Sequence, residues 1–107
     1  MKPIADKAEV AIDFPDGAYI GSFSRHSRFE VVTGSDTLTL KLENSGEGHR
    51  AAMVYLHYFL LADILSDAAE AFASSVTLDD IHREALRNAA SALAQALDTS
   101  SHEEIAR

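Results

Sequence analysis

The stretch from Tyr58 to Ser74 constrains this chain more than any other. Its polar residues Asp63, Asp67, Glu70 and Ser74 recur at spacings of four, three and four, which places them on one narrow stripe of a helix. Almost everything else in the stretch is apolar. A helix of that kind cannot rest on a single surface and needs cover on two sides. A sheet is one expected cover; a second helix or another subunit is the other. Phe59, Leu61, Leu65 and Phe72 are the residues expected at such an interface. The expected state is a homodimer, because a large exposed apolar patch is atypical of a monomer.

The chain before that helix reads as strands. Ala8, Val10, Ile12 and Phe14 alternate with Lys7, Glu9, Ala11 and Asp13, a period of two that buries one face and wets the other. Pro15-Asp16-Gly17 breaks the run as a turn. Ala18–Phe23 is a weaker strand, in which Gly21 signals a bulge or a close approach. Ser24–Ser27 reads as a turn, and Arg28–Thr33 as a strand rich in β-branched and aromatic residues. Gly34-Ser35-Asp36 is a tight turn. Thr37–Glu43 is the clearest strand, with Leu38, Leu40 and Leu42 on one face, and residues 44–48 form a hairpin loop. Arg50–Leu56 fits either a returning strand or the first turns of a helix. The loop before it and the run Met53-Val54-Tyr55 argue for strand, with the switch to helix near Leu56 or His57.

A second helix follows over residues 78–97. Thr77 is its expected N-cap, with Asp79 and Asp80 in the first turn, where the helix dipole favours negative charge. Ala85, Ala89, Ala92 and Ala96 form a stripe that lets a partner helix approach closely. Residues 98–107 are expected to fray. The fold class is therefore α+β: one domain over residues 1–107, an antiparallel β-meander of four to five strands within about 7–56, then helices at about 57–74 and 78–97 packed on one face of the sheet.

Composition removes several function classes. The chain has 107 residues, the size of one domain, and no cysteine, which excludes disulfide scaffolds, thiol catalysis and thiolate metal sites. Zero cysteine also fits a cytoplasmic protein. The net charge is −8, and residues 51–107 hold nine Asp/Glu against three Arg and no Lys. Such a half cannot neutralise a phosphate backbone or an anionic bilayer, so neither nucleic acid nor membrane is expected as a partner. The start of the chain lacks the apolar core of a signal peptide. The apolar run Ala51–Ala62, interrupted by His57, is too short to cross ~30 Å of hydrocarbon.

Candidate sites are few. Arg25, His26 and Arg28 form the densest cationic patch, able to hold a phosphate or carboxylate through forked donors; the plain alternative is a solvated turn. Tyr55, His57 and Tyr58 gather where the last strand meets the helix. His57 interrupts an apolar run, so its ring is expected to be partly removed from water, which disfavours its charged form; it would act there as a general base or simply hold the corner. Asp79 with His82, and Glu84 nearby, has helical spacing for a metal but too few ligands, so no metal or other cofactor is expected. Asp63, Asp67 and Glu70 read as a solvated face. No Walker loop, Rossmann fingerprint, nucleophile elbow or HExxH is present. Two readings result. The first is a non-enzymatic, self-associating module that binds a protein or small-ligand partner. The second is a small enzyme or anion-binding protein that uses the His57 corner with Arg25 and Arg28.

Overall fold

A computed structural model describes residues 1–44 and 49–105, with side chains through Asp98. The elements are β1 (Lys2–Pro3), β2 (Ala8–Phe14), β3 (Gly17–Phe23), β4 (Ser27–Thr33), β5 (Thr37–Asn44), β6 (Arg50–His57), α1 (Tyr58–Ser74) and α2 (Asp80–Ile105). The fold is α+β, antiparallel strands followed by two C-terminal helices. Two compact units make up the chain, Met1–Ser66 and Asp67–Arg107, with the boundary inside α1.

The strands build two sheets where the sequence suggested one meander. β1, β4, β5 and β6 form a four-stranded sheet in that order, and β2 and β3 form a separate hairpin. The hairpin is in register from Ala8↔Phe23 to Phe14↔Gly17, so Pro15-Asp16 is its two-residue turn. Gly21 marks no bulge, because the register passes through Val10↔Gly21 without a slip. It marks a close approach instead: a Cβ at Gly21 would lie 2.6 Å from the Tyr19 hydroxyl. β1, only two residues long, carries no pattern that the sequence could reveal. It pairs across the chain with Arg28 and Phe29 of β4.

β5 is the centre of the larger sheet. It pairs with β4 from Ser27↔Asn44 to Thr33↔Leu38, and with β6 from Thr37↔His57 to Asn44↔Arg50. That second ladder settles the ambiguous stretch as strand through His57. Residues 45–48 of the expected hairpin loop lie outside the described residues. Directly opposed residues share a face. Phe29, Leu42 and Ala52 therefore line up on one side, as do Val31, Leu40 and Val54. Arg28, Glu30, Lys41, Glu43, Tyr55 and His57 stand on the other. Among the described residues the buried apolar side chains are Phe23, at the end of β3, and Leu42; the buried polar one is Ser27. Ser27 locks the β3–β4 turn twice. Its backbone N–H donates to the Ser24 carbonyl at 2.8 Å, and its hydroxyl accepts the Ser24 N–H at 3.2 Å.

α1 contains no buried residue; Leu61 and Ala68 are half-buried. α2 begins two residues later than expected, and its N-cap is Asp79 rather than Thr77. The Asp79 carboxylate accepts the His82 N–H at 2.9 Å, and its carbonyl accepts the first helical bond, from Arg83 N–H at 3.0 Å. Asp ranks at least level with Thr as a cap, and here the His82 ring adds a second bond. The expected frayed end is also corrected, since α2 continues to Ile105. Neither Gly nor Pro occurs between Asp98 and Ile105, so nothing local stops a helix that gains one bond per added residue. Ala106 and Arg107 lie outside the described residues. Among the described residues no helix is long and apolar enough to cross a membrane.

Candidate functional site

The strand–helix corner is the best-defined cluster of polar groups. The β4–β5 hairpin turns at Ser35-Asp36, closed by Gly34 N–H on the Thr37 carbonyl at 2.7 Å. The β5–β6 register carries the chain back so that Tyr58 lies opposite Asp36. Tyr58 N–H donates to the Asp36 carbonyl at 3.1 Å, and the Tyr58 hydroxyl donates to the Gly34 carbonyl at 2.6 Å. The first residue of α1 is thus bonded twice to a turn more than twenty positions earlier. Tyr58 here positions the helix start.

His57 differs from expectation. Its side chain is 73% exposed, with Asp36 Oδ2 at 4.0 Å from Nδ1. The reason is parity. His57 shares the side of Met53 and Tyr55, opposite the apolar side of Val54 and Leu56, so its interruption of an apolar run places it outward. Tyr55 is 62% exposed, and its hydroxyl rests against Met53 Sδ at 3.7 Å.

Arg25 and His26 form the tip of the β3–β4 turn and are exposed, as is Arg28 at the start of β4. Arg28 sits opposite Glu43, and Glu43 opposite Ala51. Six residues of β6 then separate Ala51 from His57, about 20 Å of strand. The cationic turn and the His57 corner therefore occupy opposite ends of the sheet, and the geometry does not bring them into one site. Beside β1, Met1, Lys2, Phe29, Glu30 and Val31 line a depression of about 330 Å³.

The proposed interface residues also separate. Leu61, Leu65 and Phe72 fall on one side of α1, together with Ala68. At 100° per residue, Phe59 stands roughly 140° away, beside Asp63, Asp67 and Glu70. Phe59 is 91% exposed, against 46% for Leu65 and 41% for Phe72.

The pair Asp79–His82 is a helix cap. Asp79 Oδ1 lies 2.7 Å from His82 Nδ1. The His82 backbone N–H first, then its ring, holds the Asp79 carboxyl below the ordinary carboxylate value. No group of three or more His, Asp and Glu placed to hold a metal occurs among the described residues. Sequence reasoning missed the Asp36–His57 and Gly34–Tyr58 contacts. Both follow once the β5–β6 register is known, but the loop between those strands hides it. Compared with family models, with curated proteins and with solved structures, the chain matches none.

Proposed function

We propose that this chain is a self-associating module, a homodimer that binds a protein or small-ligand partner and performs no catalysis of its own. One observation carries the reading. α1 is apolar on most of its circumference, yet buries none of its 17 residues. The same holds for Val31 and Val54 on the apolar face of the sheet, at 50% and 40% exposure. Among the described residues twenty large apolar side chains are exposed, spread over both units, and exposed apolar surface on that scale marks an interaction site. A cytoplasmic place belongs to the same reading, since a chain without cysteine suits a reducing compartment.

Light scattering at micromolar concentration is the test. The expected mass is about twice 11.6 kDa; a mass of one chain overturns the reading. The small-ligand part is tested by a thermal-shift screen of organic anions. A shift that disappears in Arg28→Ala places the ligand at the β3–β4 turn.

A further inference from the structure

The two edges of the four-stranded sheet are built differently. At one edge β1, a two-residue strand made of Lys2 and Pro3, pairs with Arg28 and Phe29 of β4 and, among the described residues, leaves residues 30–33 without a neighbour on that side. Short length, lysine and proline all blunt a sheet edge. At the other edge stands β6, eight residues long, with the sequence Arg-Ala-Ala-Met-Val-Tyr-Leu-His. It has no Pro, no Gly and no bulge, and its one fixed charge is at its first position. Met53 and Tyr55 are 49% and 62% exposed. Among the described residues no backbone partner lies outside it.

The direction of its free backbone groups can be worked out. Tyr58 N–H bonds the Asp36 carbonyl, so Asp36/Tyr58 is a hydrogen-bonded pair of the antiparallel ladder. Such pairs alternate with non-hydrogen-bonded ones. Stepping by two along the register, Leu56, Val54, Ala52 and Arg50 also bond to β5. Ala51, Met53 and Tyr55 therefore point both N–H and C=O away from β5, toward the open edge. The N–H of His57 points the same way, and the six groups of Ala51, Met53 and Tyr55 are spaced symmetrically about Met53.

We infer that β6 pairs with β6 of a second copy, antiparallel and centred on Met53. This deepens the homodimer reading and rests on it. A twofold axis perpendicular to the sheet through this point sets Met53 opposite its own copy, and Ala51 opposite Tyr55 in both directions. The six groups of Ala51, Met53 and Tyr55 then bond across the axis. Small Ala51 leaves room for the Tyr55 ring, and Arg50 faces Leu56 of the second copy rather than another charge. The result is one eight-stranded sheet in which the apolar faces of both copies lie on the same side. That self-complementarity favours a second copy over an unrelated strand as the occupant.

Three substitutions test it. Opposed residues of a hydrogen-bonded antiparallel pair have Cα atoms about 5.5 Å apart, within the ~4.4–6.8 Å span of a disulfide. The chain has no cysteine of its own, so Met53→Cys under mild oxidation should give a covalent dimer in high yield. Val32→Cys, about five strand spacings or ~24 Å from its copy, should not. Met53→Pro removes an N–H that points away from β5, so the chain keeps its circular dichroism and becomes monomeric. If Met53→Pro fails to fold, the cysteine pair decides alone. A dimeric wild type whose Met53→Cys variant cross-links no better than Val32→Cys overturns the edge pairing and leaves the homodimer reading intact, with the helices as its interface. A monomeric wild type overturns both and leaves the edge to a strand of another protein.

Discussion

β5 pairs along its length with β4 and β6, whereas α1 is tied to the sheet through Tyr58 at its first position and buries none of its residues. The contrast is one of chemistry. A strand pairs none of its backbone groups internally, and each neighbour satisfies about half of them, so sheet formation forces contacts at a distance in sequence. A helix closes its bonds internally and needs a partner only for its side chains. In this molecule β5 obtained both partners within the chain, while among the described residues β6, residues 30–33 of β4 and the β2–β3 hairpin each keep an edge without a strand. The apolar side of α1 remained open as well, and the long edge of β6 and this side both call for a second surface.

The largest expected effect comes from breaking the helical side of that contrast. Leu65→Asp with Phe72→Asp places two charges on the side of α1 shared with Leu61, and should raise the concentration at which light scattering reports a dimer, without removing the β6 pairing, while the strand signal in circular dichroism stays unchanged. Phe59→Asp, on the acidic side of the same helix, should leave the mass unaltered. Equal effects from the two changes would show that α1 has no preferred face.

On the strand side the strongest single change is Phe23→Ala. Phe23 is fully buried, so the cavity should cost about 3–5 kcal/mol of unfolding free energy by denaturant titration. A loss well under ~1 kcal/mol, the level of a surface substitution, would show that the hairpin and sheet are not held by this side chain.

The smallest effect concerns the start of α2. Its carboxylate cap is bonded to His82, and the folded pKa of Asp79 lies below its ordinary value. A depressed folded pKa means the charged carboxylate is the favoured form in the folded state. The stabilisation is thus fully present above the unfolded pKa of ~3.9 and is lost as pH falls through the lower folded value. Asp79→Ala should lower the helical signal at pH 7 and at pH 5, with the difference from wild type closing below about pH 4. Asp79→Asn, which still caps but does not titrate, should remove that pH dependence. A gap between Asp79→Ala and wild type that persists at low pH would show that the carboxylate charge plays no part.

Much of this was legible in the residues themselves. The alternation of Leu38, Leu40 and Leu42 marks β5, and the four-three-four spacing of Asp63, Asp67, Glu70 and Ser74 marks α1. Both are local periodicities, and local sterics set them. Thr77 and Asp79 are both competent caps, and only the bond to His82 N–H distinguishes them. The candidate site is less legible. The apolar neighbours of His57 suggest an inward ring, but strand parity turns it outward toward Asp36. Chemistry groups Arg25 and Arg28 with it, but the sheet sets them about 20 Å apart.

The residues alone mark β2 to β5 and both helices, the charge balance, and a first helix with more apolar surface than a single neighbour covers. The tertiary structure decided that the strands divide into a hairpin and a separate four-stranded sheet. It also decided that Lys2 and Pro3 pair with the start of β4 while, among the described residues, β6 has no strand on its outer side, and that Tyr58 is fastened to the Gly34–Asp36 turn. The physical reason is range. Periodicity is written into neighbouring residues, whereas register and edge identity depend on which distant backbone groups meet, and β1 meets β4 across some twenty-five residues that carry no trace of the pairing.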